Sequence, residues 1–132
     1  MPSKCARAVS LLVDYMNKTK EVREFVEGWE SRILFDLSGE SPFGIIFPEG
    51  SGSAISFVDK RLENPDVIFY SNSELFFGML TGKVDQDVAF SDGLVDVKGS
   101  IFDSVKFRHA AEITQEKHST LFTVLRAVSR FT

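Results

Sequence analysis

Histidine and cysteine, the usual carriers of acid–base, nucleophilic and metal chemistry, are rare in this chain and poorly spaced for an active site. His109 and His118 lack the helical spacing that puts two metal ligands on one face, and no His-Glu-x-x-His pattern occurs. Both are interpreted as surface histidines. Cys5 has no obvious base partner, so a nucleophilic cysteine is not expected. As the single cysteine, it excludes an internal disulfide and a cysteine-built zinc site.

Acidic and serine residues give no stronger signal. Asp85, Asp87 and Asp92 do not have the spacing of a calcium loop, and Asp85 is better explained as a helix cap. Gly50-Ser51-Gly52 is too tight for the Gly-x-Ser-x-Gly of a nucleophile elbow. It also lacks the Lys-Ser/Thr of a phosphate-binding loop, which favours a hairpin turn. The sequence therefore predicts no catalytic residue, no metal ligand and no cofactor, and a protein that is not an enzyme.

Phenylalanine is the residue type that stands out. The 132 residues include 13 Phe, against one Trp and two Tyr. Most of the aromatic surface therefore lacks a polar group and suits the lining of a dry cavity. The alternative, that these rings fill the core, is the commoner role of phenylalanine. Either role needs elements that bring the rings together.

The central stretch of the chain runs from residue 65 to residue 99 and contains many large apolar side chains. A short strand over 66–70 leads to Ser71, which has the capping-box spacing to Glu74, and a helix follows that ends at Gly82. The apolar side chains of this helix recur one turn apart, namely Leu75, Phe76, Met79 and Leu80. These large side chains must be covered, either by the protein's own sheet or by a ligand.

A second short helix is predicted from Asp85 to Gly93, with Phe90 inside it, and a strand over 94–98 follows. Three earlier strands are predicted from alternating or apolar runs, over 31–37, 43–47 and 54–58. Because short turns join those three, they are expected to be antiparallel neighbours.

Two amphipathic helices are predicted before the first strand. The apolar residues of the first are Val9, Leu12, Val13 and Met16, and those of the second are Val22, Phe25, Val26 and Trp29. The two stripes point nearly opposite ways, so one straight helix cannot bury both. A break is therefore expected near residues 17–19, with Thr19 as N-cap of the second helix. A membrane anchor is the weaker alternative, because the polar face is mixed in sign.

The C-terminal part contains an apolar segment of undefined shape and a predicted helix. Ile101, Phe102, Val105 and Ile113 belong to the segment, and the helix is predicted over Ser119 to Phe131. This helix could pack on the sheet, cap the mouth of a cavity or serve a dimer.

The order of these residues resembles the signature of the sterol carrier protein 2 (SCP-2) family, in particular its stand-alone members of prokaryotic type. The matching residues are Asp66-Val67, Ser73-Glu74-Leu75, Leu80-Thr81-Gly82-Lys83, Val84-Asp85, Ala89-Phe90, Gly93 and Val97-Lys98-Gly99. The similarity extends from about Ile33 to Val105, and its specificity lies in the ordered series. The resemblance implies an α+β fold with a five-stranded, mostly antiparallel sheet covered by helices. It also implies an apolar tunnel for fatty-acyl chains, sterols or other lipids.

The function expected from this resemblance is non-catalytic binding and transfer of a lipid. The residues expected to contact the ligand are large and apolar: Leu75, Phe76, Met79, Leu80, Phe90, Ile101, Phe102 and Val105. Each has a core-packing alternative, because a tunnel wall and a core obey the same burial rule. The alternative function is a protein-interaction or dimerisation module whose tunnel is collapsed and filled by phenylalanine.

Charge narrows the choice of partners. Residues 104–132 contain five Lys or Arg and two Glu, giving +3, so the net charge of −4 leaves −7 for residues 1–103. An acidic body disfavours nucleic-acid binding. The basic tail could meet anionic headgroups or a coenzyme A phosphate, although packing on the acidic body is favoured. The expected partner is a lipid or fatty-acyl ligand, with at most transient membrane contact, and a homodimer stays open.

The lack of a recognisable targeting signal favours a cytoplasmic location. No leader and no apolar run of membrane-spanning length is present, and the chain ends in Arg130-Phe131-Thr132 instead of the small-Lys-Leu peroxisomal address common in eukaryotic members of the family. A single domain is expected over 1–132. Its parts are N-terminal helices at 1–30, the sheet and short helices at 31–113, and a C-terminal helix at 114–132.

Overall fold

The structure, a computed structural model, describes residues 3–50 and 54–128 of the chain. Its helices are α1 (Lys4–Lys18), α2 (Lys20–Phe25), α3 (Ser73–Leu80), α4 (Gln86–Ser91), α5 (Ile101–Lys117) and α6 (Leu121–Ala127). Its strands are β1 (Ser31–Ser38), β2 (Phe43–Phe47), β3 (Ser56–Val58), β4 (Val67–Asn72) and β5 (Asp96–Gly99). Each predicted strand is present. The third begins later than expected, and the fourth and fifth lie slightly further along the chain.

The strands form one mixed sheet in the order β3-β2-β1-β4-β5. β1 is antiparallel to β2, β2 to β3, and β4 to β5, whereas β1 and β4 are parallel. The parallel pair sets Phe35 opposite Phe69, so both rings point to the same face. The α+β class and the mostly antiparallel sheet are confirmed, and so is the antiparallel pairing of the first three strands.

Alternation along the strands separates two faces of the sheet. One face is apolar and packs under the helices, with fully buried side chains such as Ile33, Phe35 and Ile45. The other face carries Leu34, which is buried beside Leu62 of the 59–66 connection. Since the helices cover one face, any space between sheet and helices is bounded by the apolar side.

The break between α1 and α2 is confirmed. Thr19 lies between the two helices with extended backbone, as expected of an N-cap residue. Its hydroxyl makes no capping bond to α2, which corrects part of the prediction. Instead, Thr19 Oγ1 donates to the carbonyl of Tyr15 at 2.6 Å and lies 2.8 Å from His118 Nε2. The threonine therefore connects the α1–α2 junction to the end of α5.

The prediction that Ser71 caps α3 is wrong by one residue. Asn72 is the N-cap, and its side chain accepts a hydrogen bond from the Leu75 amide at 2.8 Å. The reason is that β4 extends to Asn72 by pairing with Ser38 of β1, which keeps Ser71 inside the strand. The prediction for α4 is confirmed, because Asp85 accepts from the amides of residues 87 and 88 at 2.8 and 3.2 Å.

The undefined segment after Gly99 is a long helix, α5. It continues past residue 113, so it includes the first residues of the part expected to form the C-terminal helix, 114–132. Ser100 begins it by accepting from the Asp103 amide at 3.0 Å. The last helix, α6, starts at Leu121 rather than Ser119, and residues 129–131 of the predicted helix lie outside the described residues. Leu121 and Leu125 are fully buried, so α6 contributes to the same core.

Candidate functional site

A cavity of about 50 Å³ lies between the apolar face of the sheet and helices α1, α3, α4 and α5. Its walls are mainly aromatic and aliphatic, with a polar side formed by three residues. The lining residues are Leu12, Phe35, Phe69, Phe76, Met79, Leu80, Gln86, Phe90, Phe107, Arg108, Ala111 and Gln115.

Contacting phenylalanine rings form most of the wall. The centroid of Phe35 lies 5.5 Å from that of Phe69, 5.3 Å from Phe76 and 5.7 Å from Phe107. Phe90 of α4 meets Phe69 edge to face, with centroids 6.1 Å apart. These separations are those of favourable aromatic pairs. The sheet, α3, α4 and α5 therefore converge through rings that carry no hydrogen-bonding group.

The structure brings part of the predicted ligand-contacting set to this cavity. Phe76, Met79 and Leu80 reach it from α3, and Phe90 reaches it from α4. Leu75 packs against the core but is not among the residues that line the cavity.

The remaining three predicted residues lie outside the cavity. Ile101, Phe102 and Val105, on the first turns of α5, have exposed fractions of 65%, 69% and 54%. The face of α5 that turns inward instead presents Phe107 and Ala111, one turn apart.

Sequence reasoning did not assign several lining residues to the site. Leu12, Phe35 and Phe69 were expected only as members of apolar stripes and strands, and Phe107 was not singled out at all. The alternation that puts Phe35 and Phe69 on one sheet face was a usable signal. For Phe107, the relevant signal was its position one turn before Ala111 in a helix that the sequence left undefined.

The polar side of the cavity is organised by Arg108. Its guanidinium carbon lies 3.9 Å from the centroid of the Phe90 ring. One terminal nitrogen donates to Asp87 Oδ1 at 2.9 Å, and Nε donates to Gln86 Oε1 at 3.4 Å. Because Gln86, Asp87 and Phe90 all belong to the short helix α4, these contacts fasten α4 to α5 beside the cavity.

Several larger hollows lie elsewhere on the described surface, and two of them are lined by charged side chains. One of about 320 Å³ lies beside α2 and is bordered by Lys18, Lys20 and Arg23 above Trp29. Another of about 380 Å³ is acidic, with Asp85, Asp87, Glu112 and Glu116 around it. Among the described residues, no group of three or more His, Cys, Asp or Glu side chains is arranged to hold a metal ion.

Cys5 lies at the start of α1 and is fully buried. Its Sγ donates to the carbonyl of Ser73 at 3.3 Å, which links α1 to the first turn of α3. Burial raises the pKa of the Cys5 thiol to about 12, so the thiolate needed for nucleophilic chemistry is scarce near neutral pH.

In the described part of the chain, none of the helices is both long and apolar enough to cross a membrane.

A sequence model of the SCP-2 sterol transfer family matches residues 12–112, more than half of the chain. No curated protein sequence matches significantly.

Solved structures share the fold at low sequence identity. A structure described as a UbiJ-SCP2 ubiquinone synthesis protein is 14% identical with a TM-score of 0.62, covering 83% of this chain and 95% of that one. A crystal structure of sterol carrier protein 2 is 15% identical with a TM-score of 0.55, covering 92% of each chain. The sec-alkylsulfatase Pisa1 from Pseudomonas sp. is 13% identical with a TM-score of 0.52. That match covers 68% of this chain and only 14% of the sulfatase.

Proposed function

The chain belongs to the SCP-2 sterol transfer family, and from this membership and the phenylalanine-lined cavity we propose that it binds and transfers a lipid or fatty-acyl chain without catalysis. The family resemblance seen in the sequence is thereby confirmed. Domains of this family are generally non-catalytic lipid-binding modules, and sterols belong to the ligand class that the family name describes. We also propose a cytoplasmic location.

The observation that carries the proposal is the chemistry of the cavity wall. Five lining phenylalanines and the aliphatic side chains of α1 and α3 offer dispersion contacts and no competing hydrogen bonds. Transfer of a methylene from water gains about 0.8 kcal/mol, so about ten buried carbons gain on the order of 8 kcal/mol. Association and ordering cost several kcal/mol, which leaves an affinity of roughly micromolar or weaker. Such an affinity suits a carrier that must also release its ligand.

Ligand entry requires the cavity to enlarge, because 50 Å³ is well below the roughly 300–1,000 Å³ of typical ligand pockets. The element best suited to move is α4. It has six residues, of which only Ala89 is buried, and such segments lie at the low end of local stability. We therefore propose that α4 moves outward and that the acyl chain takes the space behind Phe90.

In this proposal Phe76, Met79, Leu80 and Phe90 contact the bound chain, and Leu75 supports α3 from behind. The exposed residues of α5 act at an earlier stage. Ile101, Phe102 and Val105 contact the lipid or the membrane surface transiently while the ligand is exchanged.

Native mass spectrometry of the purified protein, followed by organic extraction and competition with a fluorescent acyl probe, tests this function. A copurified lipid or saturable probe binding is expected. Met79→Asp puts a charge into the cavity wall and should abolish binding while circular dichroism shows a folded protein. Val88→Asp is the matched control, because Val88 is 51% exposed on α4 and does not line the cavity. Binding that survives Met79→Asp but not Val88→Asp would contradict the proposed site.

The second candidate is an interaction or dimerisation module. It is favoured by the small cavity volume and by the apolar group Ile101, Phe102 and Val105 on the surface. Light scattering coupled to size-exclusion chromatography tests it with the wild type and with Phe102→Ser. A ligand-free dimer that ignores acyl probes and dissociates in Phe102→Ser would favour this second function. A monomer that binds the probe would favour the first.

A further inference from the structure

The apolar cavity has a single charged side chain on its wall. Of the described residues that line it, Arg108 is the only one with a formal charge, and Gln86 and Gln115 complete its polar side. A purely apolar ligand gains nothing from a guanidinium at this position. A charged group at one end of an otherwise apolar wall suits a ligand that has a polar headgroup as well as an apolar chain.

Arg108 is held in place from two directions. Phe90 packs against the guanidinium, and Gln86 accepts from Nε. A guanidinium has five N–H donors arranged as a planar fork. The contacts to Gln86 and Asp87 engage two of its three nitrogens, and the side chain is 21% exposed. The fork is thus pre-oriented at the boundary between the cavity and water.

We propose that Arg108 binds the headgroup of the ligand and that this headgroup is a carboxylate, so that the ligand is a single-chain fatty acid. This inference rests on the proposed function. A carboxylate matches the guanidinium fork with two parallel charge-assisted hydrogen bonds, while the chain extends from the headgroup into the phenylalanine-lined space.

The present partner of Arg108 can be exchanged for such a ligand. Asp87 is 84% exposed, and an ion pair with so much solvent around it is weak. A ligand carboxylate brings the burial of its chain with it, which Asp87 cannot supply. Because Asp87 lies on α4, exchanging it for the ligand loosens α4 from α5. Headgroup binding and opening of the cavity are therefore coupled.

The neighbouring charges select a monoanion. Asp87 pairs with Arg108, and Glu112 lies one turn further along α5 and borders the adjacent acidic cleft. The two carboxylates outnumber the single guanidinium, so the net repulsion is about twice as large for a doubly charged phosphate monoester as for a singly charged carboxylate at the same distance. They leave an uncharged alcohol unaffected.

Displacement of the neutral dye Nile red by dodecanoate and by dodecanol tests the inference on the full chain. The two competitors share one chain length and differ in the headgroup. Wild type should bind dodecanoate more tightly than dodecanol. Arg108→Gln also frees α4, which affects both competitors alike, so the expected change is a roughly tenfold fall in the ratio of dodecanoate affinity to dodecanol affinity. Asp87→Asn should raise dodecanoate affinity. Arg61→Gln is the matched control. Arg61 forms an ion pair with Asp36 at an N–O distance of 3.0 Å, and neither residue lines the cavity.

The outcomes separate the two claims. If wild type binds neither competitor, the proposed lipid-binding function fails. If it binds both and Arg108→Gln weakens them equally or not at all, the carboxylate inference fails while lipid binding stands. Tighter, Arg108-dependent binding of dodecyl phosphate would overturn the carboxylate assignment. If Arg108→Gln does not fold, Arg108→Lys and Asp87→Asn supply the same comparison. A ratio of dodecanoate affinity to dodecanol affinity that equals the wild-type ratio in both variants would contradict the inference.

Discussion

Arg126 donates from Nε to the carbonyl oxygen of Thr81 at 3.0 Å, joining the last helix to the end of α3. Thr81 is fully buried, and its hydroxyl donates to the carbonyl of Phe77 at 2.9 Å. The residues just before Thr81, Met79 and Leu80, line the cavity. The last helix is therefore connected to the cavity wall through one turn of α3.

Loosening this contact should speed ligand release. Arg126→Ala removes the part-buried hydrogen bond to Thr81 at a cost of about 1 kcal/mol, the usual contribution of one such bond. We expect release of Nile red to accelerate several-fold in stopped-flow dilution, with the free energy of unfolding in urea lowered by only that amount. Arg61→Ala removes a comparable surface contact elsewhere and should leave the rate unaltered. Equal release rates for Arg126→Ala and wild type would mean that α6 does not restrain the cavity.

Gly99 is predicted to be a position where a methyl group is not tolerated. Its φ is +99°, and a Cβ there would lie 2.3 Å from the carbonyl oxygen of Asp66. Gly93 has φ +74° with nothing within 4 Å of its Cβ position, so Gly93→Ala carries only the backbone strain of about 1 kcal/mol. Gly99→Ala should lower the free energy of unfolding by about 3 kcal/mol or more. Urea titration measures both, and equal losses would rule out the backbone clash.

Removing the cap of α4 should loosen that helix selectively. Asp85 accepts from two amides of the first turn, and replacing such a cap by alanine costs about 1 kcal/mol. In Asp85→Ala, amides 86–91 should exchange with deuterium faster, while those of α5 keep their rates. Asn72→Ala, which removes the cap of α3, provides the comparison. Faster exchange throughout the protein would indicate global destabilisation instead of local opening of α4.

Cys5 should make folding stability fall at alkaline pH. Its pKa is raised from 9.0 to about 12 in the folded protein, so between these values the unfolded chain has lost the thiol proton that the folded chain retains. Unfolding then releases a proton, and the free energy of unfolding decreases as pH rises from about 9 toward 12. Cys5→Ala lacks this contribution. The difference in the free energy of unfolding between wild type and Cys5→Ala should therefore shrink as the pH rises from about 9 toward 12.

Alkylation provides a second readout for the same thiol. At pH 8 iodoacetamide should modify native Cys5 slowly and the urea-unfolded chain quickly, because only the unfolded chain exposes the thiol and ionises it appreciably. Fast labelling of the native protein would contradict the buried, protonated thiol.

Local patterns in the sequence were sufficient for much of this structure. Alternation along 31–37 predicted β1, opposed apolar stripes predicted the break at Thr19, and Asp85 was identified as a cap. The apolar spacing of α3 also identified Phe76 and Met79, which line the cavity. Each of these signals depends on residues within a few positions of one another.

The long helix α5 could not be predicted from apolar periodicity, because its pattern is inverted. Its buried positions include Ser104, Ala110 and Thr114, whereas Ile101 and Phe102 are exposed. Small residues lie inward where α5 approaches α1 and the sheet closely. A search for apolar residues one turn apart does not recognise these positions as buried, because serine and threonine are polar and alanine is only weakly apolar. The Ser100-x-x-Asp103 spacing was the usable signal for its start.

The parallel pairing of β1 with β4 was also beyond local patterns. It joins residues more than thirty positions apart, and neither strand has a local sequence pattern that specifies which strand it pairs with. The inward direction of Phe107 and Arg108 depends on that pairing, because it positions β5 and hence the start of α5. The polar side of the cavity therefore became visible only in three dimensions.

The two outermost strands of the sheet are its shortest. β3 has three residues and β5 has four, and β5 carries exposed Asp96 and Lys98 beside Gly99. Short border strands, one of them charged, offer few unpaired amides and carbonyls to a strand from another molecule. The sheet is thus protected against recruiting a second sheet and growing into aggregates. Any association between copies should consequently proceed through helical surfaces.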